Sequence, residues 1–343
     1  MTDTPSHSEP VISVRNLVVE FATRRGVLRA IDGVSFNIGK GEVLGVVGES
    51  GAGKSVTGSA IIGLIDRPGR IAGGEVLLHG QRIDNLPAED MRRLRGRKIG
   101  MIFQDPLTSL DPLFRVGDQL IETIQTHSDL SAGAARERAI ALLAEVGIPA
   151  PERRIDGYPH EFSGGMRQRV VIALALACEP DFVIADEPTT ALDVSVQAQI
   201  IALLKKLCAT RGTAVMLVTH DMGVIAEAAD RVAVMYAGRI AEIGPVRDVV
   251  KHPLHPYAAG LMGAIPTLSS EAERLTQIPG SMPRLTNIPP GCAFNPRCTR
   301  AFDRCCAERP EPFAPSAEFV SRAHLAAGHR VACHLYDAGE GKP

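Results

Sequence analysis

The first alternation of apolar and polar positions runs from Val11 to Glu20, where β-branched residues recur with the two-residue period of a half-buried strand. After the turn-forming Arg24-Arg25-Gly26, a second strand is predicted as far as Ile38. Val43–Val47 is a continuous apolar run that stops at Gly48, and Lys54–Ile65 carries a helical period. Ile99–Phe103, Phe182–Ala185 and Ala214–Thr219 are further apolar runs of strand length, the kind a parallel sheet buries on both faces. Between Gln104 and Ser163 strand signals fade, and the amphipathic stretch Ala134–Val146 reads as helix. An Ala-rich helix is predicted from Ser163 through Cys178. Proline and glycine crowd Ile278–Cys298, so an irregular loop is expected there. Strands and helices in this order predict an α/β protein.

With 343 residues, 45% hydrophobic and 22% charged, the chain can bury a full core and has room for one large domain plus an appendix. Its formal charge of −2 comes from 37 basic and 39 acidic side chains that are interspersed, which gives no support for a nucleic-acid partner. The longest apolar run, Val170–Cys178, is about half of the roughly 18 residues needed to cross a bilayer. Met1–Pro10 is polar and lacks the charged-then-apolar order of a secretory signal. The chain is therefore expected in the cytoplasm, acting on a membrane only through other subunits.

Strand, glycine-rich turn and helix meet at Gly48-Glu49-Ser50-Gly51-Ala52-Gly53-Lys54-Ser55. This is the spacing of a P-loop: glycines let successive backbone N–H groups converge on phosphate oxygens, and the helix adds its positive N-terminal end. Lys54 would reach the β- and γ-phosphates of ATP, and the Ser55 hydroxyl would ligate Mg²⁺. An accidental glycine turn is the bland alternative, and placement after an apolar strand argues against it. The run Phe182–Ala185 ends in Asp186 and Glu187. A carboxylate at the end of such a strand can orient Mg²⁺ through water, the role assigned to Asp186. Glu187, one residue on, can accept a proton from the water attacking the γ-phosphate. The competing reading is an exposed acidic turn before Pro188.

These motifs, with those that follow, resemble an ABC-transporter nucleotide-binding subunit over about 11–250. Gln104 stands where the family has its Q-loop glutamine, which by resemblance senses Mg²⁺ and the attacking water. Phe162-Ser163-Gly164-Gly165-Met166-Arg167-Gln168 is similar to the family signature, with Met166 and Phe162 as mild departures. A serine hydroxyl and glycine amides at a helix N-terminus suit an anion. In the family that anion is the γ-phosphate held by the opposite subunit, so ATP is sandwiched between two head-to-tail domains. Ala191-Leu192-Asp193 resembles the D-loop, His220 the switch histidine that contacts the γ-phosphate, and Phe21 the aromatic that stacks on adenine. An aromatic at Phe21 could equally be core. Val56 continues the phosphate-binding stretch.

The implied fold is a P-loop NTPase of ABC type, a RecA-like core with an antiparallel β subdomain and a helical subdomain at about 105–180. A flexible start, 1–10, precedes it, and 251–343 forms an irregular cysteine-rich extension. Cys178 and Cys208 fall on predicted helices and read as buried apolar side chains. Cys292, Cys298, Cys305, Cys306 and Cys333 gather at the end, which in a cytosolic protein favours metal over disulfide. With Asp105–Pro112, His255-Pro256-Tyr257 and Pro289-Pro290-Gly291-Cys292, this tail resembles that of ATPase subunits in dipeptide/oligopeptide and nickel importers. The resemblance implies a [4Fe–4S] cluster on Cys292, Cys298, Cys305 and Cys333. Four thiolates fit zinc as well, Cys306 could substitute for Cys305, and His334 offers a further ligand.

The resulting expectation is an ATPase that energises a binding-protein-dependent importer from the cytoplasmic face of the inner membrane. Its expected partners are two transmembrane permease subunits, a sister ATPase or a second copy of itself, and indirectly an extracytoplasmic solute-binding protein. A soluble ABC protein acting on ribosomes or DNA is the rival. Such proteins usually carry two ATPase domains or long insertions, and neither is evident.

Overall fold

The computed structural model describes residues 9–24, 26–190, 192–263, 278–315 and 328–337. Among them the strands are β1 (Ile12–Thr23), β2 (Gly26–Ile38), β3 (Val43–Val47), β4 (Gly69–Leu78), β5 (Gln81–Arg82), β6 (Ile99–Ile102), β7 (Phe182–Asp186), β8 (Ala214–Val218), β9 (Arg231–Tyr236), β10 (Arg239–Pro245) and β11 (Arg330–Val331). The chain divides into two compact units, one made of Met1–Ser13, Asn37–Val43 and Leu77–Val218, the other of Val14–Phe36, Leu44–Val76 and Thr219–Pro343.

In the first unit β6, β7 and β8 run parallel, with Ile99 opposite Phe182 and Phe182 opposite Ala214. Every residue of β7 and β8 is buried, the burial on both faces expected of a parallel sheet. Helices Val116–His127, Ala132–Glu145 and Gly164–Ala175 pack on one another around Leu120, Ile124, Ala139, Leu142 and Leu143. Burying an apolar side chain of this size contributes about 1.5–3 kcal/mol, which is what holds such short helices in place.

In the second unit β1 lies between β2 and β4. β3 runs parallel to β9, with Leu44 opposite Arg231, and β10 pairs antiparallel with both β9 and β11. Gly45 is required there, because a Cβ would lie 2.6 Å from Ile225 Cδ1. The two-residue strand β11 carries the late chain back onto β10, where Leu254, Val331 and Cys333 form a small apolar cluster covered by Leu335 and Tyr336.

Three elements differ from the sequence expectation. β1 continues to Thr23, so Phe21 lies within the strand rather than after it. The helix from Lys54 ends at Ile61 instead of Ile65, because Gly63 turns to φ 65° and the Leu64 N–H closes back on the Ser59 carbonyl. The helix opened by Ser163 ends at Ala175, which leaves Cys178 in a turn, half-buried rather than on a helix.

Candidate functional site

In the second unit the chain leaves β3 at Gly48, and sterics explain the glycines. A Cβ on Gly48 would meet the Met235 carbonyl oxygen at 2.3 Å, and one on Gly53 would meet Ile31 Cδ1 at 2.6 Å. Both residues, with Gly51, take positive φ. The loop then enters the helix Lys54–Ile61, with Ser55 exposed and Val56 half-buried. Lys54 is 7% exposed and its Nζ donates to the carbonyls of Gly48 at 2.9 Å and Glu49 at 3.3 Å, so the ammonium lies inside the curve of the loop. Such a cation beside converging N–H groups is a polyphosphate-binding device. Ser50 and Ala52 complete it, Ala52 fully buried with its N–H on the Glu49 carbonyl.

His220 follows Thr219, whose N–H donates to the Val46 carbonyl at 3.2 Å. That bond brings the exposed His220 to the end of β3, where the phosphate loop begins. Asp221 then caps the helix Met222–Ala228 by accepting from Gly223 and Val224 N–H groups. Phe21 packs against Gly69, where a Cβ would come within 2.5 Å of its ring.

In the first unit Asp186 closes β7 at 8% exposure, and Glu187 follows at φ 47°, a left-handed conformation that costs a non-glycine residue free energy. Backbone and side-chain bonds help to hold it there. Its N–H donates to the Val218 carbonyl at 2.8 Å, and its Oε2 accepts from Gln104 Nε2 at 2.9 Å and from Thr190 Oγ1 at 3.0 Å. Two donors on one oxygen help to fix the carboxylate's direction. Thr190 carried no signal beyond its neighbourhood in the sequence.

Ser163 caps the helix Gly164–Ala175, its Oγ accepting from Met166 N–H, and both Ser163 and Gly164 are exposed. Gly165 is sterically required, since a Cβ would meet Val196 Cγ1 at 2.7 Å. Asp193 also caps a helix, Val194–Arg211, accepting from Val196 N–H and Ser195 Oγ. The Val196 hydrogen bond, then that of Ser195, holds its carboxyl below the ordinary 3.8. Its neighbour Ala191 lies outside the described residues.

Late in the chain Cys292, Cys298, Cys305 and Cys333 line one small void, together with His255 and His334. Cys306 is exposed and is not among the lining residues. Burial pushes the Cys292 thiol up to about 11 and the Cys333 thiol to about 12, and it raises Cys298 as well. None of these thiols becomes a thiolate near neutrality without a cation to balance it. Among the described residues no group of three or more His, Cys, Asp or Glu closes to the spacing that would hold a metal ion. Four cysteines are in kind a donor set for a thiolate-bound metal group, but as spaced here they do not close on one.

Residues 31–190 match the family described as ABC transporter, and residues 241–305 match the oligopeptide/dipeptide transporter C-terminal region. The oligopeptide transport ATP-binding protein OppD of Salmonella typhimurium (strain LT2) is 48% identical over 92% of this chain and 94% of its own length. The chain belongs to the ABC transporter family. This ABC chain is likewise 46% identical to the dipeptide transport ATP-binding protein DppD of Escherichia coli (strain K12), over 96% of this chain and 98% of that protein. Among solved structures, the dimeric post-hydrolysis state of the ATP-binding cassette MJ0796, bound to ADP and Pi, matches with a TM-score of 0.62 at 30% identity, covering 69% of this chain and 99% of the cassette. The cbiO1 subunit of the cbiONQ transporter complex from Clostridium perfringens matches at the same TM-score with 28% identity, over 71% and 92% of the two chains. The fold is thus the ABC ATPase cassette, and the chain is an ATPase subunit of a transporter. Among the described residues no helix is long and apolar enough to cross a membrane.

Proposed function

We propose that this chain energises a binding-protein-dependent importer of dipeptides or oligopeptides from the cytoplasmic face of the inner membrane. The observation that carries the cargo class is the match of residues 241–305 to the oligopeptide/dipeptide C-terminal region, joined to the cassette match in one chain. The ATPase domain is 11–250, with a helical subdomain at about 105–180 that faces a permease, and 251–343 is the extension.

Gly48–Val56 cradles the triphosphate, Lys54 neutralises the β- and γ-phosphates, and Ser55, Gln104 and Asp186 hold Mg²⁺ directly or through water. Phe21 stacks on the adenine. Glu187 takes a proton from the attacking water, which His220 and Gln104 position. The left-handed φ of Glu187 and the bonds from Gln104 and Thr190 support this role, because they fix the direction of the carboxylate. Ser163 and Gly164 are exposed, and the Ser163 hydroxyl with the Gly164 and Gly165 amides reaches the γ-phosphate bound by the opposite ATPase subunit, while Asp193 lines the same junction. ATP then stabilises a closed dimer and hydrolysis releases it, which shifts two permease subunits between their outward- and inward-facing states.

Cys292, Cys298, Cys305 and Cys333 hold a [4Fe–4S] cluster in this reading. They line one small void, and a set of four thiolates fits iron–sulfur or zinc, with iron–sulfur favoured by the likeness of the extension. When bound, the cluster supplies four metal–thiolate links that pin the extension. Metal analysis with visible absorption on anaerobically purified protein separates iron with sulfide from zinc.

The function is tested by gentle solubilisation of native membranes with this chain tagged. Two multi-span permeases and a second ATPase subunit should co-purify, and the reconstituted complex should accumulate radiolabelled di- or oligopeptide with ATP. Recovery with ribosomes or DNA and no permease would overturn the transport role. Uptake of nickel but not peptide would overturn the cargo.

A further inference from the structure

Glu49 is the second residue of the phosphate loop, and each of its polar groups has a partner. Its N–H donates to Tyr257 Oη at 2.8 Å, and its carbonyl accepts from Lys54 Nζ at 3.3 Å. Its carboxylate receives two parallel bonds from the Arg297 guanidinium, Nη1 to Oε2 at 2.8 Å and Nη2 to Oε1 at 2.9 Å. A fixed negative charge in a loop built to take up a polyphosphate repels the ligand unless a cation cancels it. The bidentate fork both cancels that charge and aims it.

Arg297 is itself held tightly. Its side chain is 7% exposed, its Nε donates to the Pro279 carbonyl at 2.8 Å, and its guanidinium lies 5.9 Å from the Tyr236 ring centre and 5.8 Å from that of Phe294. The Glu49 hydrogen bond is the first cause of its raised pKa, so the guanidinium stays charged. Tyr257 is fully buried and packs edge-on against Tyr236. The late segment touches the loop at a second point: a Cβ on Gly51 would lie 3.0 Å from Met282 Cε.

We propose that Arg297 and Tyr257 are positioning residues for the phosphate loop: Tyr257 fixes the Glu49 backbone, and Arg297 neutralises and restrains its carboxylate so that nucleotide phosphates can enter. The proposal rests on the reading of Gly48–Ser55 as the nucleotide loop. It also gives the extension a part in ATP binding. Arg297 precedes Cys298, and the turn Asn295–Arg297 is tied down by Asn295 Nδ2 on the carbonyls of Pro290 and Cys292. The cysteine-lined knot therefore sets where the guanidinium stands.

The test is equilibrium binding of a fluorescent ATP analogue and of ATP to the full chain, with thermal unfolding recorded for every variant. Arg297→Met should weaken ATP binding about tenfold or more, because the Glu49 charge is left uncancelled. The double variant Glu49→Gln/Arg297→Met should bind ATP at least about fivefold more tightly than Arg297→Met alone, because no uncancelled charge is left in the loop. Rescue is the signature that a merely structural arginine lacks. Tyr257→Phe should raise KM for ATP about threefold with kcat kept. If Arg297→Met fails to fold, Arg297→Lys replaces it; a lysine keeps the charge without the fork, and about threefold weaker binding is expected. ATP binding by the arginine variant equal to wild type, or a double variant no better than the single one, overturns the proposal. Lys54→Ala distinguishes this from failure of the loop reading: if Lys54→Ala binds ATP as tightly as wild type, the loop itself is misassigned.

Discussion

Glu242 offers the sharpest stability prediction in the chain. Its side chain is completely buried on β10, yet it faces three donors: Leu254 N–H at 3.0 Å from both carboxylate oxygens, His255 N–H at 2.7 Å from Oε2, and His329 Nε2 at 2.8 Å from Oε1. The three donors come from two separate stretches of the late chain, so one carboxylate ties both to the sheet. In Glu242→Ala all three lose their acceptor in a site that water does not reach. Each buried unsatisfied donor costs about 1–3 kcal/mol, which puts the loss at about 4–6 kcal/mol, a large part of a typical domain's stability. Glu242→Gln keeps one acceptor oxygen but turns an NH₂ toward donors, and about 2–3 kcal/mol should be lost. Urea unfolding followed by circular dichroism gives the difference, and hydrogen exchange at the Leu254 and His255 amides shows whether the opening is local. A Glu242→Ala variant within about 1 kcal/mol of wild type, with both amides still protected, would refute the reasoning.

Gly48→Ala should destabilise by about 2 kcal/mol or more and abolish ATP binding, because its Cβ would collide with the Met235 carbonyl oxygen at 2.3 Å; an unchanged ATP affinity would contradict the packing. Burial pushes the Cys208 thiol up to about 12, so iodoacetamide near neutral pH should label exposed Cys306 first and reach Cys208 only in denaturant, as peptide mass mapping can check. His127 is held below its usual 6.5 by burial, then by the charges of Arg92 and Arg97. Protonation therefore favours the unfolded chain: stability from this site is full above 6.5 and declines as pH falls from 6.5 toward the lowered folded value. His127→Gln should flatten that part of a low-salt stability–pH profile, and an unchanged slope would exclude the histidine as its source.

The glycines of the phosphate loop were legible because their demand is local: Gly48, Gly51 and Gly53 each take positive φ within a strand–turn–helix context that the residue pattern announces. The parallel strands were legible because burial on both faces leaves an unbroken apolar run, as in β7 and β8. Helix ends were less so. The apolar period continues past Ile61, and only Gly63 taking a left-handed turn stops it. The partners of Glu49 carry no local pattern at all: Tyr257 and Arg297 lie 208 and 248 positions away, and nothing but the folded chain joins them. The same holds for Glu242 and His329, 87 positions apart, where an acidic residue inside a strand reads as surface until its donors are known. Glu187 stands out in the sequence by its type and place, but its left-handed backbone and the Gln104 and Thr190 bonds are tertiary facts.

The measurement closest to the centre of this reading is phosphate release from ATP·Mg²⁺ by the full chain, wild type beside Glu187→Gln, with ATP affinity measured on the same samples. A residue that accepts the proton of the attacking water contributes about 10²–10⁴-fold. Glu187→Gln should therefore bind ATP within about threefold of wild type and release phosphate at least about a hundredfold more slowly. Phosphate release within a few-fold of wild type at saturating ATP would contradict hydrolysis at this carboxylate.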